Sequence, residues 1–472
     1  MNLLRVYTPI CALSWRRTTT RNVMVARSDP AITVSNDWTS VNGDAQQPKS
    51  PIKLNVNIVG AGISGLATAV STALSGHNVT VFESAKELLE IGAGLQVTPN
   101  STRILQRWGL PDRVWHAAAE PTSLSVHRYT GQLLAHEDNF HKNIRKKYQA
   151  PYLAMHRVDL QLSLYERAKQ LGVQFNLGEK VDLVDVDAAE ITKESGEKAK
   201  ADIVVAADGL WSKTAACFRG KRSPPLPTGD LAYRVVLKLE DVADDPELSC
   251  LVRNPAVNFW IGPGSHVVGY SIRGGKMYNL VLLCPDDLPE GVSRQPGDLE
   301  EMKALFTNWD PLLRRFLNKV DRVDKWRLMH REELPSWTND KSNFVFVGDA
   351  CHPMLPYLAQ GANSAIEDGA VLGTLLGHVK SKDQVHQALK MYEKLRKARG
   401  EAIVKETFRQ RHDFHLPDGP EQEARDSLFL SVLGKEPKGP FPSRWTCPEV
   451  QPWLYGYDAF TEVYNAVKDE PF

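Results

Sequence analysis

Residues 55–83 run strand, glycine turn, helix, strand, acid. Asn55-Val56-Asn57-Ile58-Val59 reads as a short buried strand, and Gly60-Ala61-Gly62-Ile63-Ser64-Gly65 follows it. A small-residue helix then passes through Ala67, Ala69 and Ala73, and a second strand, Val79-Thr80-Val81-Phe82, ends on Glu83. This order is the dinucleotide-binding fingerprint in the context it requires. Gly60 permits the tight turn, Gly62 lets a pyrophosphate approach the backbone, and Gly65 lets helix and strand pack closely. Glu83 can accept from a ribose hydroxyl. A bare Gly-x-Gly-x-x-Gly is more often a loop; here the flanking patterns make a Rossmann-like α/β unit the expectation.

A second constellation lies far down the chain. Phe344-Val345-Phe346-Val347 reads as an apolar strand running into Gly348-Asp349-Ala350-Cys351-His352-Pro353-Met354-Leu355-Pro356, then Gln360-Gly361-Ala362-Asn363 and Ile366-Glu367-Asp368-Gly369. Asp349 is expected as a buried carboxylate at the strand's carboxyl end. The turn at Gly361 and Ala362 would aim backbone N–H groups from a helix N-terminus. Such a pair can hold a ribityl hydroxyl and the electron-rich end of an isoalloxazine ring. A Gly-Asp turn alone is usually just a strand end; the whole run is far more specific. A third strand, Asp202-Ile203-Val204-Val205-Ala206-Ala207, ends in Asp208-Gly209, with Ser212 beyond. Asp-Gly favours a turn in any context, but its order relative to the other two elements argues for a site.

The three elements together resemble the single-component FAD-dependent aromatic hydroxylases, close to the fungal salicylate-hydroxylase-like monooxygenases, over residues 54–460. The resemblance implies FAD as cofactor, NADH or NADPH as co-substrate, O₂ as oxidant and a phenolic or aromatic-acid substrate, in the setting of fungal secondary metabolism. It implies that substrate binding triggers flavin reduction and that a flavin C4a-hydroperoxide passes one oxygen to the ring, decarboxylative hydroxylation being a subcase. It also implies residue roles. The Asp208 strand serves FAD and NAD(P)H. Gly94 and Gln96, in Ile91-Gly92-Ala93-Gly94-Leu95-Gln96, border the flavin edge. Arg157, in His156-Arg157-Val158-Asp159-Leu160, reaches the pyrophosphate or ribityl, where it can neutralise phosphate charge. One departure is visible: the family commonly carries an arginine three residues after the serine, and this chain has Ala215, with Lys213 nearby. The choice between NADH and NADPH therefore stays open.

After Gly220, Ser223-Pro224-Pro225-Leu226-Pro227 marks a boundary, and residues 228–335 favour strands. Leu231–Leu237, Val257–Gly262, His266–Tyr270 and Tyr278–Leu283 alternate between turn residues, which predicts an antiparallel sheet with one covered face. Such a sheet would roof a pocket over the flavin, and small-molecule sites favour such interfaces. The chain thus reads as an extension (1–50), a first FAD-binding part (51–225), a substrate domain (226–335), a second FAD-binding part with a long helix (336–412) and a tail (413–472). In class it is α/β, α+β overall: a Rossmann-like domain interleaved with an antiparallel-sheet domain, plus C-terminal helices.

An arene attacks better as a phenolate, so a cation beside the phenol oxygen would lower its pKa, or grip a carboxylate. Arg234 and Tyr270 lie on the roof strands, and related enzymes use an arginine and a tyrosine from similar strands; both are catalytic candidates. Their plain alternatives are a surface arginine and a packed tyrosine. His266 is a weaker candidate base. Tyr392, Arg396 and Arg399 share one helical face by spacing, and the arginines read as structural; His352 and Pro353 read as shaping their turn.

Composition excludes several classes. With 57 basic and 57 acidic residues and no basic block, nothing points to nucleic acid. The six cysteines form no Cys-x-x-Cys pair, so no metal is expected. No apolar run is long enough to span a membrane. Residues 1–28 carry five arginines and no acid before Asp29, so a mitochondrial transit peptide is an alternative to a cytoplasmic location. Residues 29–50 read as a linker. Monomer and homodimer are both open. The rival functions are a flavin-dependent epoxidase of a secondary-metabolite chain, a flavoprotein oxidase or dehydrogenase, and a non-catalytic FAD-binding protein.

Overall fold

A computed structural model describes residues 47–88, 93–221 and 224–472. The Arg-rich segment 1–28 and the expected linker up to residue 46 lie outside the described residues, as do Ile91, Gly92 and Ser223.

The cofactor half is built on a five-stranded sheet. Its order is Phe344–Phe346, Ile203–Ala206, Asn55–Val59, Asn78–Glu83, Gln174–Leu177, with every neighbouring pair parallel. The strand ends singled out in the sequence, at Gly60, Asp208 and Asp349, therefore open side by side at the carboxyl edge, where ligands bind in sheets of this kind. Parallel strands need cover on both faces, and Ile58, Val81, Val204, Val205 and Val345 are fully enclosed.

Two helices supply one cover, and their seam is lined by small residues. A Cβ on Gly369 would lie 2.6 Å from the Ala67 backbone, and one on Gly373 2.5 Å from the Ser71 carbonyl carbon. The Ser75 hydroxyl donates to the Gly373 carbonyl at 2.7 Å. The helix Ile63–Leu74, which follows the glycine turn, is thus in backbone contact with the helix Gly361–Gly377. The expected linker ends earlier than residue 50. Gln47 donates to the Ser71 carbonyl (2.7 Å) and the Ser75 hydroxyl (2.8 Å), at the C-terminal end of the first of these helices.

The middle segment forms an eight-stranded sheet, in the order Arg294–Pro296, Asp324–His330, Leu226–Lys238, Met277–Pro285, Ser265–Ile272, Ala256–Gly262, Ser123–Arg128, Leu133–Asp138. The four strands expected there are all present. Two features differ from expectation. The sheet is not wholly antiparallel: Ala256–Gly262 runs parallel to Ser123–Arg128, a strand contributed by the first segment. Both faces are covered, because the alternate positions are apolar too. Leu231, Tyr233, Val235 and Leu237 pack beneath the short helices Pro246–Arg253, Leu299–Leu305 and Pro311–Leu317. Ala232 packs on Leu355 and Tyr357 of the cofactor half, which turns Arg234 and Val236 to the same inner face.

The single long helix expected within 336–412 is two helices, Gly361–Gly377 and Val385–Phe414. The tail adds Pro420–Ser431, Val450–Tyr455 and Ala459–Asp469. Among the described residues no helix is long and apolar enough to cross a membrane.

Candidate active site

The sheet's carboxyl edge and the start of the Gly361–Gly377 helix enclose a cleft of about 400 Å³. Gly60, Gly62, Glu83, Arg157, Asp208, Asp349, Gly361 and Ala362 all line it. Each glycine of the turn has a separate reason. Gly60 has φ +105°, and a Cβ on it would sit 2.5 Å from the Ala207 carbonyl oxygen. A Cβ on Gly62 would meet nothing within 4 Å, so this backbone is open to a ligand. Gly65 stands behind the cleft, where a Cβ would overlap the Gly60 carbonyl and lie 3.3 Å from the Ala207 side chain.

Glu83 is pinned. One carboxylate oxygen accepts from the Ala61 N–H at 2.7 Å, and the other accepts from the Ala85 N–H at 2.8 Å. A carboxylate has about four acceptor positions, so room remains for a ribose hydroxyl. Asp208 accepts from the Thr214 N–H (3.0 Å) and hydroxyl (2.7 Å), which ties the Asp-Gly loop to the helix Thr214–Arg219. Ala215, where the family's arginine would stand, is buried. A different arginine steadies this loop: Arg331 donates to the Leu210 carbonyl at 2.5 Å.

Asp349 was expected to be buried and is instead open to the cleft. The positive φ of Gly348 (+62°) swings the chain outward there, and a Cβ on Gly348 would strike Ser64 at 2.6 Å. The wall around Asp349 still raises its carboxyl pKa by desolvation, against the opposing charges of His352 and Arg157.

Behind Asp349 lies a fully buried ionic lattice. Asp368 accepts from the Gly348 N–H (2.9 Å), from His352 (2.5 Å) and from Arg396 (2.8 Å). Glu367 pairs with Arg396 at 2.6 Å and with Arg399 at 2.9 Å, and accepts from Asn100 at 2.6 Å. Burial opposes the charge on Asp368, but His352 and Arg396 outweigh it and bring the carboxyl to about 2. Arg399 also donates to the Trp453 and Leu454 carbonyls of the tail and stacks 4.0 Å from the Tyr457 ring. The lattice locks together the turn that presents Asp349, the helix that presents Gly361, and the tail. Arg396 and Arg399 were expected to be structural. Their partners were not foreseen, although two acids inside the apolar run Ala365–Leu376 were the visible signal.

Gly94 and Gln96 belong to the strand Gly94–Val97, outside the cleft lining and against the roof. The Gly94 N–H donates to Asn279 at 2.7 Å, and a Cβ on Gly94 would lie 2.7 Å from the Tyr270 ring. Asn279, fully buried beside Tyr270 in the sheet, has no signal in the sequence alone, since its role comes from register. Tyr270 is buried and Arg234 exposed, both on the roof's inner face. Burial raises the Tyr270 phenol pKa, and the Arg234 charge opposes the rise. On the same inner face Val236, Val268 and Val281 are only partly buried, as is Met354 of the cofactor half, where Pro356 is exposed.

His266 is fully enclosed, away from the cleft, with its Nδ1 2.7 Å from His415 Nε2. Burial pushes His415 down to about 4 and His266 well below its usual range. Between about pH 6.5 and 4 the unfolded chain binds protons here that the folded chain does not, so the pair's stabilisation is complete above the first value and lost as pH falls through the window. The thermal midpoint is expected to drop from pH 7.5 to 5, and a His266→Gln, His415→Gln variant to show a shallower slope by calorimetry.

The residues at hand fit FAD: an open glycine turn at a helix N-terminus for the pyrophosphate, Glu83 for a ribose, Arg157 for phosphate charge, and Asp349 with the Gly361 helix start for the ribityl and ring. Residues 53–407 match the FAD binding domain family. FAD-dependent monooxygenase OpS4 of Beauveria bassiana is 51% identical over 88% of this chain and 97% of its own length. A 3-hydroxybenzoate 6-hydroxylase of Polaromonas naphthalenivorans is 30% identical over 87% of this chain and 97% of its own. A solved salicylate hydroxylase substrate complex shares the fold, with TM-score 0.71 at 21% identity over 88% of this chain and 98% of that one. The chain belongs to the FAD binding domain family and, within it, is an FAD-dependent monooxygenase of the aromatic-hydroxylase type.

Proposed function

We propose that this enzyme consumes NADH or NADPH and O₂ to hydroxylate a phenolic or aromatic-acid substrate, bound under the roof at Arg234 and Tyr270. The observation that carries the reading is the meeting of a guanidinium and a phenol on the inner face of the sheet, across from Pro356 and the start of the Gly361 helix. Bound FAD supplies the oxygen-activating redox chemistry. Arg234 holds a phenolate or carboxylate through charge-assisted hydrogen bonds, and Tyr270 borders the ring. Val236, Val268 and Val281 exclude water from the reacting atoms. Glu83, Arg157, Asp208 and Asp349 orient the cofactor from the opposite side. The benzoate hydroxylation named for a relative supports an aromatic acid. The single glycine fingerprint supports transient docking of the nicotinamide donor rather than a second nucleotide domain. We place the enzyme in the cytoplasm, with mitochondrial targeting by residues 1–28 as the alternative.

The test is anaerobic stopped-flow absorbance of the FAD-loaded enzyme with NADH or NADPH, with and without a panel of phenolic acids. Bleaching that one aromatic speeds by orders of magnitude is the expected result; no bleaching with either nucleotide overturns the reading. Arg234→Ala is expected to keep FAD and to raise the KM for an anionic substrate about 10–100-fold, the worth of a charge-assisted contact, or to divert reducing equivalents to peroxide. Unchanged KM and coupling would remove Arg234 from the site.

A further inference from the structure

The roof and the cofactor half meet at a polar joint that the hydroxylase reading does not use. Asn279 lies on the strand Met277–Pro285, opposite Val236 on one ladder and Tyr270 on the other, so it shares their inner face. It is fully buried there. An amide in such a place is costly unless its polar atoms are paired. Its Oδ1 accepts from the Gly94 N–H at 2.7 Å, but its Nδ2 has no hydrogen-bond partner among the described residues. A leucine would fill the position without that cost, so the bond to Gly94 is what the amide contributes. The strand Gly94–Val97 pairs with Leu153–His156 along one side only. Along its other side Gly94 donates to Asn279, the Gln96 carbonyl accepts from Asn363 at 3.0 Å, and the Thr98 N–H donates to Asn363 at 3.0 Å. The strand thus hangs between the roof and the start of the Gly361–Gly377 helix. The same ribbon leads to Arg157, whose N–H donates to the Ala93 carbonyl at 3.0 Å. Two residues on, Asp159 accepts from Arg273, at the turn of the roof hairpin, at 3.0 and 2.9 Å.

We infer that Asn279 is a positioning residue that ties the strand Gly94–Val97 to the roof, so that an aromatic seated against Tyr270 acts on the flavin edge through this joint. The inference rests on the proposed function and deepens it by naming the contact through which substrate binding reaches the cofactor. A methyl on Gly94 would lie 2.7 Å from the Tyr270 ring and 2.8 Å from Asn279 Cγ, so strand and roof touch without slack. Close-packed contacts transmit displacement. An aromatic that shifts Tyr270 carries Asn279, its ladder partner, and with it the Gly94 N–H. Arg273 and Asp159 hold the turn of the hairpin to the helix that begins at Arg157, so the displacement is delivered at Gly94.

The experiment uses the FAD-loaded enzyme and the aromatic of the panel that speeds bleaching most. The readout is the ratio of bleaching rates by NADH or NADPH with and without that aromatic, taken on the FAD-bound fraction. FAD affinity, thermal midpoint and hydrogen exchange of the apoprotein over residues 93–98 are recorded for every variant. Asn279→Leu, which removes the acceptor, is expected to lower the ratio about tenfold, the worth of one hydrogen bond, and to speed exchange in that segment. Asn279→Asp, which keeps the acceptor, is expected to retain most of the ratio and of the protection. Gly94→Ala is expected to match Asn279→Leu from the other side of the joint. An undiminished ratio in Asn279→Leu overturns the inference. Equal losses in Asn279→Leu and Asn279→Asp overturn it too, because the shape of the side chain and not its bond would then be the cause. Failure of the underlying reading looks different: no aromatic would then speed bleaching of the wild type.

Discussion

Arg396→Met is expected to destabilise the folded chain by about 3–5 kcal/mol, because it removes from two buried carboxylates the guanidinium they share. Asp368 and Glu367 are both fully buried, and Arg396 touches each, at 2.8 and 2.6 Å. His352 and Arg399 would remain, but each is already engaged with one acid, Asp368 and Glu367 respectively. Denaturant unfolding with FAD present and absent reads the effect. Arg409→Met supplies the contrast. That arginine is 66% exposed and pairs with Glu406 on the surface, so its loss should cost under about 1 kcal/mol. Similar costs for the two variants would show that the lattice does not hold the site together.

Gly65→Ala is expected to lower FAD affinity about 100-fold, the effect of misplacing a binding group by roughly an ångström, and to destabilise the apoprotein by about 1–3 kcal/mol. The added methyl would meet the Gly60 carbonyl and Ala207, so the helix must leave the strand and carry its N–H groups with it. Gly62→Ala separates packing from binding. Nothing of the protein stands within 4 Å of that methyl, and Gly62 has an ordinary φ of −68°. Its apoprotein should melt with wild type while FAD, titrated by fluorescence, binds more weakly. Equal apoprotein loss in both variants would argue against the two distinct roles.

What could be read from the sequence was mostly what is contiguous in it. The glycine turn, its strand and its helix occupy one short stretch, and Gly60, Gly62 and Gly65 meet the steric conditions assigned to them. Strand patterning put Arg234 and Tyr270 on roof strands but left the arginine's facing open, and ladder register is what sets it on the inner face. What escaped depends on partners distant in sequence. Nothing near Ala256–Gly262 announces a parallel neighbour at Ser123–Arg128, since pairing leaves no local mark. Asn279 acquires its position only from ladder register. The orientation of Asp349 turned on one backbone dihedral at Gly348, which a strand pattern does not encode. Glu367 and Asp368 looked like part of a motif, and their arginine partners lie on the next helix.

The seam between the helices Ile63–Leu74 and Gly361–Gly377 has a consequence for synthesis. The bond from Ser75 to Gly373 joins residues 298 positions apart. At ribosomal speeds of about 5–20 residues per second, the fingerprint helix emerges roughly 15–60 s before the surface that covers it. Throughout that interval its small, close-fitting face is exposed, and the whole roof sheet emerges in between. Nascent chains halted before residue 361 should therefore be sensitive to protease at Ile63–Leu74, and chains released beyond the long helix resistant.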